Sequence, residues 1–167
     1  LSNIKRSGDI SMHCIQFQSF IEDDNRFLVF HIALNDTLMG DIKSDPNARL
    51  CWTMPKTKEY YKMKGKFYIS SSPMQVTRFP PPRPIKNDLP ASDYWENERK
   101  KQWKGLTNKG RATYTWPSHG DTRANRTAFS FHDIAMDNFC LLIYKITEVE
   151  HFDYNSFPAI NTVSIKK

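Results

Sequence analysis

Apolar and polar residues alternate along several stretches of this chain, and the alternation predicts strands. Met12–Phe20 alternates with the period of two that is typical of a half-buried strand. Phe27–Ile32 is apolar throughout, which indicates an interior strand, and the acidic turn at Glu22–Asn25 joins the two runs. We therefore expect a hairpin near the start of the chain.

The stretch Ala48–Ser71 predicts a second hairpin, with a short polar connection between its strands. In its second strand Lys62, Lys64 and Lys66 are spaced by two, so all three side chains should lie on one face of the sheet. No acidic residue stands between them. This face must therefore meet either water or an anion, and the sequence leaves both alternatives open.

Two helices are predicted around this second hairpin. The first starts near Thr37, close to residues with capping side chains, and ends by Asp45. The second starts where Ser92 or Asp93 can act as the N-cap, and Glu96 follows Asp93 at capping-box spacing. Its apolar side is assigned to Tyr94, Trp95, Trp103 and Leu106, and its solvent-facing side to Arg99, Lys100, Lys101 and Lys104.

The last predicted strands are Asn138–Ile146 and Val149–Tyr154, with a tight turn at Thr147–Glu148. The order is then about six strands, with helices inserted after the second and the fourth. This is not the regular alternation of strand and helix that builds a doubly wound sheet. The pattern favours a mainly β (α+β) fold, an antiparallel barrel with peripheral helices.

The length of 167 residues fits one domain, residues 1–167, with a substantial core. A Pro-rich segment at about 73–90 is expected to be a stiff connector, and a ligand for a Pro-binding module is the alternative. A polar stretch at about 118–130 is expected to form a loop.

The net charge of +6 and the isoelectric point near 9.2 are compatible with an anionic partner. Excess Lys and Arg also serve simply to solvate a surface. No zinc-finger spacing, RNP-like strand or GXXG loop is present, so nucleic acid is the least favoured partner; steep salt dependence of binding would be its signature.

The three cysteines Cys14, Cys51 and Cys140 are far apart, and each lies in an apolar run. They are expected to be buried free thiols in a reducing compartment, the cytoplasm or the nucleus. The sequence shows no signal peptide and no apolar run of membrane-spanning length. Because the chain starts at Leu1 rather than Met, we expect an N-terminal piece to be missing, and with it any targeting signal.

The usual carriers of several chemistries are absent from the sequence. There is no P-loop, GxGxxG, HExxH, CxxC or GxSxG motif, so NTP hydrolysis, Rossmann redox chemistry, zinc peptidase and serine hydrolase activities are not supported. The five histidines are scattered without metal-ligand spacing, and no metal site is predicted.

Short motifs in a fixed order do carry a family resemblance. The first block comprises Asn35–Ile42, Asp45–Ala48, Leu50–Trp52 and Thr57–Gly65. The second comprises Trp103–Thr107, Arg111, Trp116–Pro117 and Asn138–Leu142. Together they resemble the pyridoxamine 5′-phosphate oxidase-like proteins, and most closely the branch with the cyanobacterial-type FMN-binding domain and its fungal relatives. The resemblance covers most of Met12–Phe157.

The resemblance implies a split β-barrel homodimer that binds FMN at the subunit interface. In active members the flavin takes a hydride from the 4′-amine or alcohol of a vitamin B6 phosphate and passes electrons to oxygen, and the protein positions and tunes the flavin. The chain would then be a flavin-dependent oxidoreductase.

The resemblance also assigns cofactor contacts, residue by residue. One strand is expected to lie along the ring system of the flavin, and its residues are Cys14, Ile15, Gln16, Phe17 and Gln18. The other expected contacts are His31 and Thr37 near the phosphate or ribityl chain, Tyr60 and Lys62 against the flavin, and Arg111 and Trp116 from the later segment. No catalytic residue is assigned.

The sequence departs from the family pattern where basic residues should approach the phosphate. The matching positions hold His13, Gln18, Thr37 and Leu38, and Tyr60 replaces the usual Gln. The carboxylate of Asp36 should cap the amides at the start of the first helix and repel a phosphate. Charge-assisted hydrogen bonds contribute roughly 1.5–3 kcal/mol each, so the loss of three should weaken FMN binding by orders of magnitude.

Two functions therefore remain open. In the first, the protein binds FMN through a rebuilt phosphate site, in which Lys62 is the best-supported cation and Lys43, Lys64 or Arg111 can compensate. In the second, the barrel has lost flavin and serves as a binding or structural protein for another phosphate-bearing small molecule.

Overall fold

Eight antiparallel strands form one sheet in the computed structural model, which describes residues 1–72, 80–115 and 132–165. The strands are β1 (Ser2–Ile4), β2 (Ile10–Met12), β3 (Phe17–Ile21), β4 (Asp24–Ala33), β5 (Asn47–Met54), β6 (Glu59–Ser70), β7 (Phe139–Asp153) and β8 (Ile160–Ile165). Their order in the sheet is β2-β1-β5-β6-β7-β4-β3, and β8 pairs with the second half of β7.

The sheet curls until its two ends approach each other. Strands β2 and β3 lie at opposite ends of the strand order, yet only the short segment His13–Gln16 joins them. A chain spans at most about 3.5 Å per residue, so both edges must lie close together. The expected antiparallel split barrel with peripheral helices is confirmed, and the sheet is not closed by hydrogen bonds across the split.

Two apolar clusters lie on the two faces of the curled sheet. The inner cluster includes Leu28, Phe30, Phe67 and Tyr144, and helix α1 (Thr37–Ser44) adds Leu38, Met39 and Ile42 to it. The outer cluster lies between the sheet and helix α2 (Ala91–Gly105), which contributes Tyr94, Trp95 and Trp103. Alternate residues of β4 and β7 point into one cluster or the other, as the period of two requires.

Three shorter helical elements follow in the chain. They are α3 (Asn108–Ala112), a 3₁₀ turn at Thr113–Thr115 and α4 (His132–Asn138). Residues 80–90 of the predicted Pro-rich connector form no helix or strand, and the carbonyl of Pro82 accepts a hydrogen bond from Trp95 Nε1 at 2.9 Å. The stretch at 118–130 lies outside the described residues. Within the described ranges, no helix is long and apolar enough to cross a membrane.

The two predicted C-terminal strands are in fact the single 15-residue strand β7. The predicted turn at Thr147–Glu148 is wrong because Thr147 is the extra residue of a bulge: Gly65 pairs with Ile146 and Lys64 pairs with Glu148. The hydroxyl of Thr147 donates to the carbonyl of Lys64 at 3.0 Å, which keeps the strand in the sheet.

The predicted strand Met12–Phe20 is likewise divided into β2 and β3. Met12 pairs with Ser2 in β1, whereas Phe17 pairs with Phe30 in β4. The segment His13–Gln16 crosses from the edge beside β1 to the edge beside β4, so the predicted strand is interrupted there. The short strands β1 and β8 were not predicted. Together with the division of Met12–Phe20 they add three strands to the predicted six, and the merging of the last two predicted strands into β7 removes one, which gives eight.

The predicted helices exist, with corrections to the second. Helix α1 starts at Thr37, and Asp36 Oδ1 accepts a hydrogen bond from the amide of Leu38 at 2.8 Å, which confirms the expected cap. Helix α2 starts at Ala91, after Pro90, so the predicted side-chain cap at Ser92 or Asp93 is wrong.

Two predictions of burial are also wrong. Arg99 was assigned to solvent, but its side chain is buried because α4 and the start of β7 lie over that side of α2. Cys14 and Cys51 are exposed, and Cys140 alone of the three cysteines is buried. Both exposed thiols border the split, among the described residues that line its opening.

Candidate functional site

The split of the barrel opens as an apolar crevice of about 290 Å³. It is lined by Leu1, His13, Cys14, Ile15, Phe17, Leu28, Phe30, Leu50, Cys51, Trp52 and Met63. The rings of Phe17 and Trp52 pack against each other in its wall, with centroids 4.8 Å apart and planes tilted by 49°. Three residues of the predicted flavin strand, Cys14, Ile15 and Phe17, therefore border one crevice, while Gln16 and Gln18 point to solvent.

Tyr60 and Lys62 lie together on the outer face of β6, within a cluster of aromatic rings. The Lys62 Nζ atom is 4.6 Å from the centroid of Phe152, the cross-strand partner of Tyr60. The ring of Tyr60 meets that of Tyr154 edge to face at 5.2 Å. The sequence analysis missed Phe152 and Tyr154, although the pairing of β6 with β7 would have pointed to Phe152.

A second hollow of about 240 Å³ adjoins the crevice and reaches Lys62. The two hollows share Leu1, Leu50, Cys51 and Met63 in their linings. The charged residues of the second hollow are Arg49, Lys62, Lys64, Glu148 and Glu150. The hollow that contains Lys62 therefore meets the crevice at these four residues, and its lining holds both cations and carboxylates.

His31 lies elsewhere, beneath helix α2. Its Nε2 is 3.2 Å from Gln102 Oε1, and the Gln102 amide nitrogen donates to Glu98 at 2.8 Å and to Ser19 at 3.3 Å. Because that amide nitrogen is already a donor, Gln102 Oε1 accepts the Nε2 proton of His31. Burial lowers the pKa of His31 and opposes its protonation, although the Gln102 contact partly offsets this. His31 is thus a neutral link between β4 and α2.

Arg111 is also separated from the crevice. Its guanidinium donates from Nε to the carbonyl of Trp103 at 3.2 Å and from Nη2 to that of Lys104 at 2.9 Å, and it lies 5.5 Å from the centroid of the Trp103 ring. These contacts satisfy carbonyls at the C-terminal end of α2. Trp116, the other residue predicted from this segment, lies outside the described residues.

The start of α1 differs from a phosphate site. Thr37 is exposed there, but Leu38 is buried in the inner cluster, and the carboxylate of Asp36 already accepts from the helix amide. His13, at another position where a cation is expected, lies 2.6 Å from the Ser11 hydroxyl and 3.3 Å from Asp41 Oδ2. A carboxylate at a helix N-terminus takes the place that an anionic ligand would occupy.

Comparison with solved structures identifies proteins with this arrangement of strands. A pyridoxamine 5′-phosphate oxidase-related, FMN-binding protein from Nostoc punctiforme superposes with a TM-score of 0.76 at 21% identity, over 99% of this chain and 79% of that one. PhzG from Burkholderia lata, in complex with tetrahydrophenazine-1-carboxylic acid, gives 0.60 at 14% identity, over 99% and 80%. General stress protein 26 from Bacillus anthracis gives 0.50 at 11% identity, over 90% and 79%.

This chain has the split-barrel fold of the pyridoxamine 5′-phosphate oxidase-related proteins. The resemblance drawn from the motifs is therefore confirmed for the fold. No family model and no curated protein sequence matches the chain. At such low sequence identity, fold similarity does not carry function over, so the function must be argued from the site itself.

The site fits the two parts of FMN differently. The apolar crevice with Phe17 and Trp52, and the aromatic cluster around Tyr60, suit a flat ring system. The start of α1 does not suit a phosphate, because Asp36 and Leu38 supply a carboxylate and an apolar side chain there. Cations that suit a phosphate lie on the outer face of the sheet instead, at Arg49, Lys62 and Lys64.

Proposed function

We propose that this protein binds FMN as a homodimer with a rebuilt phosphate site. The observation that supports it is that Lys62, at a cofactor position of the resemblance, lines a hollow that adjoins the crevice bordered by Cys14, Ile15 and Phe17. An aromatic surface and an adjacent cation are what a flavin nucleotide needs.

In this proposal the flavin ring lies against the aromatic and apolar side chains, and the ammonium of Lys62 binds the phosphate. The ring of Phe152 stabilises the ammonium group of Lys62 by a cation–π contact. The bound flavin would supply hydride transfer. The finer proposal is that the protein is an oxidoreductase that acts on vitamin B6 phosphates. Such a substrate adds a second phosphate, for which Arg49 and Lys64 are the nearest candidates in the same hollow.

The homodimer is part of the proposal because the described residues of one chain line only one side of the second hollow. Both hollows are open at the surface, and a second copy would exclude water from them. We also place the protein in a reducing compartment, the cytoplasm or the nucleus, because all three cysteines are free.

A flavin-free barrel that binds another phosphate-bearing small molecule is the second candidate. Three observations favour it: Asp36 caps α1, Leu38 is buried, and Arg111 is committed to backbone carbonyls. This candidate and the first differ in one property, the presence of flavin.

An absorbance scan of freshly purified protein separates the two. Flavin bands near one FMN per chain, or uptake of added FMN, would support the proposal. A colourless protein that fails to take up FMN would remove it and leave the flavin-free candidate. If FMN binds, turnover of pyridoxamine phosphate under oxygen is expected, and its absence would reject the vitamin B6 substrate alone.

The role of Lys62 is tested by Lys62→Ala, with Lys86→Ala as the control. Lys86 is exposed and precedes α2, away from both hollows. Loss of one charge-assisted hydrogen bond should weaken FMN binding about 10- to 100-fold, measured by flavin fluorescence. Equal affinity of the two variants would reject Lys62 as a phosphate ligand.

A further inference from the structure

The short hairpin of β1 and β2 has an inverted pattern of burial. On its inner face the cross-strand partners Asn3 and Ser11 are only 4% and 6% exposed. On its outer face the partners Ile4 and Ile10 are 49% and 75% exposed, and Met12 is 83% exposed. The hairpin therefore buries two polar side chains and presents three large apolar ones to solvent. We call the three exposed side chains the apolar patch.

Folding alone does not account for this inversion. A shift of one residue in register turns every side chain of a strand to the other face, so registers normally place the apolar set inside. Among the described residues, the buried amide group of Asn3 has no hydrogen-bond partner, which is unfavourable. The apolar patch is thus exposed at the expense of stability, and a local departure of this kind is typical of a functional surface.

The turn of the same hairpin supplies positive charge beside the apolar patch. Lys5 and Arg6 are both exposed, and no ion pair closer than 4.0 Å within the described ranges involves either of them. The carboxylate of the turn, Asp9, accepts a hydrogen bond from the hydroxyl of Ser7 at 2.7 Å. On the neighbouring strand β5, Arg49 adds a further cation to the same outer face. The patch therefore has a basic border.

We propose that the apolar patch and its basic turn dock on the surface of an anionic lipid bilayer. The three apolar side chains enter the boundary between headgroups and acyl chains, while Lys5 and Arg6 bind negatively charged headgroups. With so few groups, binding is weak and reversible. The proposal does not depend on FMN, because Ile4, Ile10 and the turn line neither hollow and Met12 lies only at the rim of the second.

Two other partners fit this surface less well. A nucleic acid would engage the cations but would leave Ile10 and Met12 in water. A second copy bound through the same patch would bring the two basic turns into one interface, where like charges repel. An anionic bilayer matches both the apolar and the basic groups. No apolar run marks the patch in the sequence, since its members come from two strands separated by a polar turn.

The test is co-sedimentation of the full chain with vesicles of phosphatidylcholine alone and of phosphatidylcholine mixed equally with phosphatidylserine. Wild type should bind the mixed vesicles and not the neutral ones. Ile10→Ser should weaken the binding about tenfold, because an apolar side chain no longer leaves water. Lys5→Ala should weaken it about fivefold, the usual contribution of one cation at an anionic surface.

Matched controls are needed because a chain with a net charge of +6 is attracted to any anionic surface. Ile85→Ser and Lys86→Ala make similar changes at exposed positions before α2, and Ile85 is 70% exposed, close to the value for Ile10. Both controls should bind like wild type. Circular dichroism checks that each variant is folded, which the exposure of Ile10 and Lys5 leads us to expect.

Several results would overturn the proposal. They are no binding to the mixed vesicles, equal binding to both kinds of vesicle, and losses in the controls that equal those in I10S and K5A. A wild-type dimer that I10S converts to a monomer would assign the patch to a second copy and would also overturn it.

The outcome is separate from that of the flavin proposal. A colourless protein that binds vesicles with this dependence would keep the docking surface and reject FMN. A yellow protein that ignores the mixed vesicles would do the reverse.

Discussion

The ring of Tyr144 lies directly against Gly65, and its hydroxyl is within hydrogen-bond distance of two carbonyls, those of Ala48 at 2.9 Å and Met63 at 3.0 Å. A Cβ atom at Gly65 would be 2.7 Å from Tyr144 Cζ and would also collide with the carbonyl oxygen of Lys145. The glycine is thus required by the packing of a buried tyrosine over the β6–β7 bulge.

We predict that Gly65→Ala destabilises the protein by about 1–3 kcal/mol, the usual cost of overpacking, or more because a backbone atom must move. Urea unfolding measures the change. Gly40→Ala is the control: a Cβ there meets nothing within 4 Å, and alanine is the better helix former in α1. Equal stability of G65A and wild type would contradict this account of the packing.

Arg99 supports a second prediction. Its guanidinium donates to the carbonyls of Met136 at 2.9 Å and Phe139 at 3.3 Å, and it forms a bidentate pair with Glu96 at 3.0 and 3.1 Å. Arg99→Ala removes the buried partner of all three groups, so we expect a loss of about 3–5 kcal/mol in the free energy of unfolding.

Arg99→Lys should recover little of this loss, because an ammonium group cannot reproduce the planar fork. Lys100→Ala is the matched control, since Lys100 also contacts Glu96 but is largely exposed. A cost similar to that of K100A would show that the buried guanidinium does not hold α2 against α4.

These residues show how far the sequence predicts the fold. The apolar runs and the Asp36 cap were sufficient for the hairpins and for α1, because those features depend on neighbours in the sequence. Arg99 could not be placed, because a basic residue on the polar side of a helix is buried only when another element covers that side. Thr147 could not be placed either, since a bulge depends on the partner strand.

The site was predictable in parts for the same reason. Tyr60 and Lys62 could be put on one face from their spacing, and the Cys14–Phe17 segment could be selected by resemblance. The positions of His31 and Arg111 depend on where α2 docks, which no local pattern determines. The sequence left open whether the lysine row meets water or an anion, and it could not show that Glu150 and Glu148 on β7 are the cross-strand neighbours of Lys62 and Lys64.

His31 predicts a pH dependence of stability. Its pKa in the folded protein is lowered by burial from the ordinary 6.5, so at moderately acid pH the unfolded chain binds more protons than the folded one. The contribution of neutral His31 is therefore complete above about pH 6.5 and is lost as the pH falls toward the folded pKa. Wild type should lose stability relative to His31→Gln between about pH 7.5 and pH 5.

Urea unfolding of both proteins at several pH values measures this difference. The glutamine keeps a polar group near Gln102 but does not titrate. A difference between wild type and H31Q that stays constant with pH would mean that His31 is protonated equally in both states.

The cysteines give the last prediction. Burial raises the pKa of the Cys140 thiol to about 11, so roughly one molecule in a thousand carries the thiolate at pH 8, and the sulfur is also inaccessible. Cys14 and Cys51 are exposed in the single chain. A thiol reagent such as DTNB should therefore label Cys14 and Cys51 quickly and Cys140 only after denaturation.

Cys14→Ser and Cys51→Ser should each leave one fast thiol, because each removes one of the two exposed sulfurs. Cys140→Ser should keep both fast thiols and remove only the one that reacts after denaturation. The absorbance of the released thiolate measures the number and the rate of the reacting groups. A third thiol that reacts as fast as the other two in the folded protein would contradict the burial of Cys140.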